Sequence, residues 1–204
     1  HGALERGVGV VDDRERGLEV GVAQRDDVRA HVAQVGDEIL GDGLGGFPLP
    51  QAGVIAVPIE TGDDYSVDRV ISHEVSHHVL YQATKNPFSY PPTWFDEGLA
   101  VVGQLAGNES DLQIVLGALE EGNLPTLQTL SSSFPTDPVA ANRSYATSHM
   151  AIEFIVSQWG EQSIGDIVRA FRQGVTADQA LLSTLGVDTA QLDTQFRSWL
   201  AAQA

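Results

Sequence analysis

The sequence of 204 residues contains no cysteine and no long apolar run. The absence of cysteine excludes a disulfide framework and a cysteine-based zinc site. The longest apolar stretch, residues 54–59, is interrupted by Pro58 and is far too short to span a bilayer. A chain of this length buries a sizeable core without such staples, so a metal bound here is expected to serve chemistry rather than folding.

Positive charge is also scarce. Lys85 is the only lysine, and 11 basic residues face 28 acidic ones, for a formal net charge of −17. Nucleic-acid binding requires a basic surface, so the composition excludes that partner, and the acidity is typical of a solvated, soluble surface. The chain begins at His1 without a charged and apolar leader, which favours a mature or trimmed fragment. A secreted or cell-surface location is slightly favoured over a cytoplasmic one.

The N-terminal part of the sequence alternates between strand and helix signals. Apolar alternation on both sides of turn residues 12–17 predicts a β-hairpin over residues 8–22. Helical spacing over residues 28–39 predicts a helix that ends at the glycine cluster 41–46. The β-branched segment 53–60 predicts a strand. These elements together indicate a small α/β lobe.

Two helices are predicted next. Asp63 or Asp64 caps the first, over residues 66–84, whose two apolar stripes indicate a central helix. A proline-rich connector follows, and Thr93 with Asp96 forms a predicted capping box that opens the second helix.

From residue 107 onward the sequence is helical, with clear start and stop signals. Asp137 before Pro138 is a predicted N-cap, and glycines follow the predicted helices. Capping boxes are predicted at Thr176 with Gln179 and at Asp188 with Gln191. The predicted helices span residues 111–121, 138–159, 164–173, 177–185 and 189–202.

The predicted fold class is therefore α+β. A small N-terminal α/β lobe with a mixed sheet (residues 1–106) carries the helix over residues 66–84 and the helix that follows it, and a helical lobe (residues 107–204) completes a single domain.

The motif His73-Glu74-Val75-Ser76-His77 carries the chemistry. Residues four apart lie about 6 Å apart along one face of a helix, so His73 and His77 can present imidazole nitrogens to one ion. Glu74 points to the flank, where its carboxylate can act as a base on a water molecule. The alternative is an accidental pair of core histidines, but this motif arises by chance in fewer than roughly one chain in a hundred of this length.

A second segment, Trp94-Phe95-Asp96-Glu97-Gly98-Leu99-Ala100, completes a pattern that resembles the gluzincin metallopeptidases, with the peptidase MA-like family as the most similar group. The tract from Ser144 to Gly160 and the tail leading to Trp199 resemble that family's helical half. The resemblance implies a thermolysin-like architecture, one Zn²⁺ per chain held by His73, His77 and Glu97, and Glu74 as general acid/base. It also implies a peptide substrate bound along the strand near residues 54–59.

The sequence departs from the family in two places. Residues 51–55 lack the Gly-x-Met-Glu-Asn element with which aminopeptidases of the clan hold a substrate amine, so an endopeptidase is slightly favoured. Val101 stands where the thermolysin family has an aspartate. Asp96 is the alternative to Glu97 as ligand, but helix geometry allows only one of the two to face the ion.

Several side chains have both a chemical and a structural interpretation. Tyr145 and His149 are candidate donors to an oxyanion, with Tyr145 preferred, although both share a face with Ile152 and Val156 as in a core stripe. His78 faces about 100° away from the motif's histidines, which favours packing. Arg143 is a default surface residue that could hold a substrate carboxylate. The tryptophans and Phe95 are predicted core anchors.

The sequence therefore predicts a zinc-dependent metallopeptidase with peptide or protein substrates and no membrane span. Two alternatives remain: a non-catalytic module with a metal-stabilised gluzincin fold, and a hydrolase of non-peptide amides or esters. An intact Glu74 counts against the first, because a structural metal site needs no base.

Overall fold

The computed structural model describes residues 7–13, 18–24, 47–49, 54–56, 64–104 and 108–203, with side chains described from residue 69 onward. The chain divides into two compact units, His1–His78 and Val79–Ala204. The helix predicted over residues 28–39 lies outside the described residues. The predicted division into lobes at residue 106 stays a prediction.

The first unit contains a sheet of four strands in the order β2-β1-β4-β3. The predicted hairpin is confirmed: β1 pairs antiparallel with β2, and Val11 lies opposite Val20. β4 also pairs antiparallel with β1 and with β3, and it confirms a strand within the segment 53–60. The strands are β1 (Gly7–Asp13), β2 (Leu18–Gln24), β3 (Phe47–Leu49) and β4 (Val54–Ala56).

The predicted fold class, α+β with a mixed sheet in an α/β lobe, is wrong. Every strand pairing in the described part of the chain is antiparallel, and all regular structure from residue 64 onward is helical. The reason is the length of the connections. Only four residues join β1 to β2 and β3 to β4, whereas a parallel pair needs a crossover of a dozen or more residues. The described chain is dominated by seven α-helices.

The helices confirm most of the predicted bounds within one or two residues. They are α1 (Asp64–Thr84), α2 (Thr93–Val102), α3 (Asp111–Glu120), α4 (Pro138–Trp159), α5 (Gln162–Arg172), α6 (Ala177–Leu185) and α7 (Thr189–Ala201), with a short 3-10 helix at Thr129–Ser131. Among the residues that the structure describes, no helix is both long and apolar enough to cross a membrane.

Side-chain caps at the helix N-termini explain why the helix bounds could be predicted from the sequence. The side chain of Asp137 caps α4, and both predicted capping boxes, at Thr176 and at Asp188, are present. The capping box predicted at Thr93 is wrong: the N-cap of α2 is Pro92, and no side chain caps that end. Pro92 has the extended backbone of an N-cap (φ −65°, ψ 149°), so Thr93 is already the first helical residue.

The second unit is built around α4, which packs against α2, α3, α5 and α7. The predicted anchors Trp94 and Phe95 are fully buried. Trp159 and Trp199 are partly buried against the core, and both rings contact Phe154. The aromatic residues of α2 and of the C-terminal helices thus hold the unit together by large buried surfaces.

Candidate metal centre

The two histidines of the motif meet on one face of α1. Their Nε2 atoms lie 3.1 Å apart, and the ring centroids are separated by 4.8 Å with the planes at 82°. A tetrahedral ion with bonds of about 2.0 Å to each nitrogen holds its ligand atoms ~3.3 Å apart. The helix therefore presents the two nitrogens at a separation close to the one that zinc requires.

Glu97 on α2 joins this pair. His73, His77 and Glu97 each offer one ligand atom, and these atoms all lie within 4.8 Å of one another. All three side chains are partly buried.

Gly98 fixes the position of the helix that carries Glu97. A Cβ atom added at this residue would lie 2.5 Å from the backbone oxygen of Ser148 and 2.7 Å from Cγ1 of Ile152. Only glycine allows α2 and α4 to approach this closely. The sequence motif included Gly98, but its spacing alone did not indicate a helix–helix contact.

The donor set fits a divalent cation. Imidazole nitrogen and carboxylate oxygen are common zinc donors, and three protein ligands leave a position for water or substrate. Two nitrogen lone pairs at 3.1 Å repel each other unless a proton or a cation lies between them. The buried Glu74 and the partly buried Glu97 add negative charge that a dication offsets.

The neighbours of the ligand residues lie outside this group. Glu74 is only 6% exposed, and Asp96 and His78 are partly buried. Each of these three is adjacent in sequence to a member of the group, but the helical turn of about 100° per residue sends its side chain in another direction.

His149 has a partner that the sequence did not indicate. Its Nδ1 lies 2.8 Å from Oδ2 of Asp111, and its Nε2 lies 3.8 Å from Glu153. His149 and Asp111 are both 8% exposed, so the pair joins α4 to the start of α3 inside the protein. No local sequence signal links residues 111 and 149, because the contact depends on the packing of the two helices.

Tyr145 lies one turn earlier on α4 and is more accessible, with 37% of its surface exposed. Its ring contacts Phe134 edge to face, at a centroid distance of 5.1 Å. Of the predicted core stripe on α4, Ile152 is buried and Val156 is partly buried, whereas Tyr145 is exposed. The stripe therefore faces the core only in its C-terminal part. Arg143 is partly buried.

Two histidines on α1 and a glutamate on α2, the next helix along the chain, define a candidate mononuclear metal centre. The model of the peptidase MA superfamily matches residues 37–202, and the chain therefore belongs to that superfamily. The match confirms the resemblance drawn from the two motifs and includes all three residues of the centre. Neither a curated protein nor a solved structure matches the chain.

Proposed function

We propose that this protein is a zinc-dependent metallopeptidase in which His73, His77 and Glu97 hold the metal. The observation that carries the proposal is the convergence of ligand atoms of these three side chains to within 4.8 Å, although 19 residues of sequence lie between His77 and Glu97. Membership of the peptidase MA superfamily supports the same class of chemistry. When bound, zinc supplies Lewis acidity, which makes water nucleophilic near neutral pH.

Glu74 is the proposed general acid/base. Its carboxylate takes a proton from the attacking water as the new C–O bond forms, and gives that proton to the amine as the C–N bond breaks. Glu74 lies between the two histidines in the sequence and is 6% exposed, so bulk water competes little for its oxygens. A buried carboxylate is costly to maintain, which favours the catalytic hypothesis over a metal-stabilised structural module.

Tyr145 is the proposed donor to the oxyanion that water attack creates. Its support is accessibility: Tyr145 is 37% exposed on a helix that packs against α2, whereas His149 on the same helix is 8% exposed. Peptide bonds are the proposed substrate class, and endopeptidase action is favoured because residues 51–55 lack the amine-binding element of the clan's aminopeptidases.

The test combines metal analysis with a cleavage screen on a mixture of peptides. The zinc-loaded parent should bind one zinc per chain and cleave peptides. Glu74→Gln should keep the zinc and lose activity by roughly 10² to 10⁴-fold, because glutamine preserves shape but cannot transfer the proton.

Glu153→Gln is a matched control, because this half-exposed glutamate on α4 belongs to no proposed catalytic step; it should cleave like the parent. Absence of bound zinc after incubation with excess metal would refute the proposal, and so would a Glu74→Gln variant as active as the parent. Hydrolysis of esters but not of peptides would assign the centre to the non-peptide alternative.

A further inference from the structure

A short loop between α1 and α2 exposes two aromatic side chains. The loop, called the aromatic loop below, comprises residues 85–92, Lys-Asn-Pro-Phe-Ser-Tyr-Pro-Pro. Phe88 is 81% exposed and Tyr90 is 67% exposed. Exposure of this degree leaves two rings in water, which gains nothing for folding.

The loop is held rigidly despite its exposure. The Asn86 side chain donates hydrogen bonds to the backbone carbonyls of Thr84, Ser89 and Phe171, and its oxygen accepts from the backbone N–H groups of Phe88 and Ser89. The Ser89 hydroxyl donates to the carbonyl of Val175 at 2.8 Å. Three of the eight loop residues are prolines, which restricts the backbone further.

Gly174 makes room for the side chain of Phe88. It has a left-handed backbone (φ +78°), and a Cβ atom added there would lie 3.0 Å from Cδ2 of Phe88 and 3.2 Å from Oδ1 of Asn86. The ring of Phe88 thus rests against backbone at one edge while most of its surface faces solvent. Such a preorganised aromatic surface loses little conformational entropy when it binds a partner.

The loop also lies near the candidate metal centre along the chain. Thr93 lies three positions after Tyr90, and Glu97 lies four helical positions after Thr93. Chain geometry therefore limits the distance between the Cα atoms of Tyr90 and Glu97 to about 17 Å. An extended peptide covers that distance in about five residues.

The charge of the loop favours an apolar partner. The protein carries a net charge of −17, but the aromatic loop contains no carboxylate and includes the only lysine of the chain, Lys85. An anionic membrane would repel the protein as a whole. A polypeptide segment with aromatic or large aliphatic side chains meets no such repulsion at this surface.

We infer that the aromatic loop is a substrate-binding element that contacts an aromatic or large aliphatic side chain of an extended peptide, within about five residues of the scissile bond. The inference rests on the proposed peptidase function for the identity of the occupant. It assigns a specificity to the protein that neither the metal motif nor the family match contains.

The test measures peptide binding without hydrolysis, in the zinc-loaded Glu74→Gln protein. The probes are fluorophore-labelled ten-residue peptides of alanine, serine and glycine that carry one phenylalanine at successive positions, each paired with a peptide that has serine there. Fluorescence anisotropy gives the ratio of the two Kd values. Phe88→Ser with Tyr90→Ser, introduced together, is compared with the exposed apolar pair Val139→Ser and Leu182→Ser as matched control.

At one or more positions the phenylalanine peptide should bind roughly tenfold or more tightly than its serine partner, both in the Glu74→Gln protein and in the control, because buried aromatic contacts dominate binding energy. In the loop variant the ratio should fall below about threefold. An unchanged ratio in the loop variant overturns the inference. Binding of the loop to phosphatidylserine vesicles, or self-association that the loop variant abolishes, would assign the surface to a membrane or to a second copy and would overturn it too.

The two proposals fail separately. A zinc-loaded parent that cleaves no peptide, but whose Glu74→Gln form keeps a loop-dependent preference for phenylalanine, refutes the peptidase and supports peptide binding by the loop. A parent that cleaves peptides without any such preference supports the peptidase and refutes the inference.

Discussion

Tyr145 and His149 lie one turn apart on α4, yet their surroundings differ. The hydroxyl-bearing ring of Tyr145 is partly open to solvent and touches Phe134. The imidazole of His149 is enclosed and bonded to the carboxylate of Asp111 at 2.8 Å. Two candidate donors, of which the sequence favours Tyr145, therefore differ in exposure to solvent.

This difference predicts opposite phenotypes. If Tyr145 is the proposed oxyanion donor, Tyr145→Phe should lower kcat and kcat/KM alike by roughly ten- to a thousandfold with little loss of stability, because it removes only the hydroxyl. His149→Ala should lower the free energy of unfolding by about 3 kcal/mol, because it leaves the buried Asp111 carboxylate without its partner. Steady-state kinetics and urea unfolding measure the two effects.

The controls use the same region of the fold. Phe134→Leu removes the ring contact of Tyr145 but keeps the hydroxyl, so its effect on kcat should be smaller than that of Tyr145→Phe. Gln158→Ala, on the exposed face of α4, should change stability by less than about 0.5 kcal/mol. Parent-like turnover in Tyr145→Phe would leave the hydroxyl without a catalytic function.

At the scale of elements, the contact between α2 and α4 determines where Glu97 lies. Gly98→Ala should lower the free energy of unfolding by about 1–3 kcal/mol, because the added methyl group would overlap the backbone oxygen of Ser148 at 2.5 Å and force the helices apart. The same separation should weaken zinc binding through Glu97. Chemical denaturation and zinc titration of the variant measure these two consequences.

Gly117→Ala provides the matched control for this substitution. Gly117 lies inside α3, and nothing lies within 4 Å of a Cβ atom added there. Alanine should therefore raise stability by about 0.5–1 kcal/mol, through its higher helix propensity. A Gly98→Ala variant as stable as Gly117→Ala would show that the helix pair tolerates the methyl group.

The start of α7 is tied to α6 by a pH-dependent contact. Asp178 accepts hydrogen bonds from the hydroxyl of Thr189 at 2.6 Å and from its backbone N–H at 3.1 Å. These bonds, the hydroxyl first, hold the pKa of Asp178 below its ordinary value of 3.8, against a small opposing effect of burial. The contact therefore adds stability at pH above 3.8, and this contribution is lost as the pH falls through the lowered pKa.

Thr189→Val should reduce stability more at pH 7 than at pH 2, because valine removes the hydroxyl bond to the ionised carboxylate but leaves that of the backbone. Urea unfolding at the two pH values gives the difference. Thr194→Val, which changes an exposed threonine of the same helix, should show no such pH dependence. Equal losses at both pH values would indicate that the hydroxyl acts through packing alone.

At the scale of the whole molecule, zinc binding should raise thermal stability, because a ligand that binds the folded state alone shifts the unfolding equilibrium. Zinc at 100 to 1,000 times its Kd should raise the Tm by roughly 5–15 °C for a chain of this length. Differential scanning calorimetry with zinc and with a chelator measures the shift.

The variants of the centre should separate into two groups. His73→Ala, His77→Ala and Glu97→Ala should each lose most of the shift, since each removes one of the three proposed zinc ligands. Asp96→Ala should keep it, because Asp96 is adjacent to Glu97 but lies outside the group of converging ligand atoms. Loss of the shift in Asp96→Ala, with retention in Glu97→Ala, would exchange the two carboxylates as ligands.

The sequence by itself determined the local features of this protein. The helix starts at Asp137, Thr176 and Asp188 could be predicted, because an N-cap side chain accepts a hydrogen bond from a backbone N–H within one turn of itself. The face shared by His73 and His77 follows from the helix period. Two short motifs were likewise enough to indicate the family.

Only the tertiary structure decided the features that depend on distant residues. The short connections make two of the strand pairs antiparallel, but the antiparallel pairing of β1 with β4 joins segments 40 residues apart in sequence, and no local signal specifies it. The bond between His149 and Asp111 and the close approach at Gly98 result from helix packing, for which sequence spacing carries no signal. The grouping of Glu97 with the two histidines is also a tertiary feature, because a motif specifies the type of ligand but not its position in space.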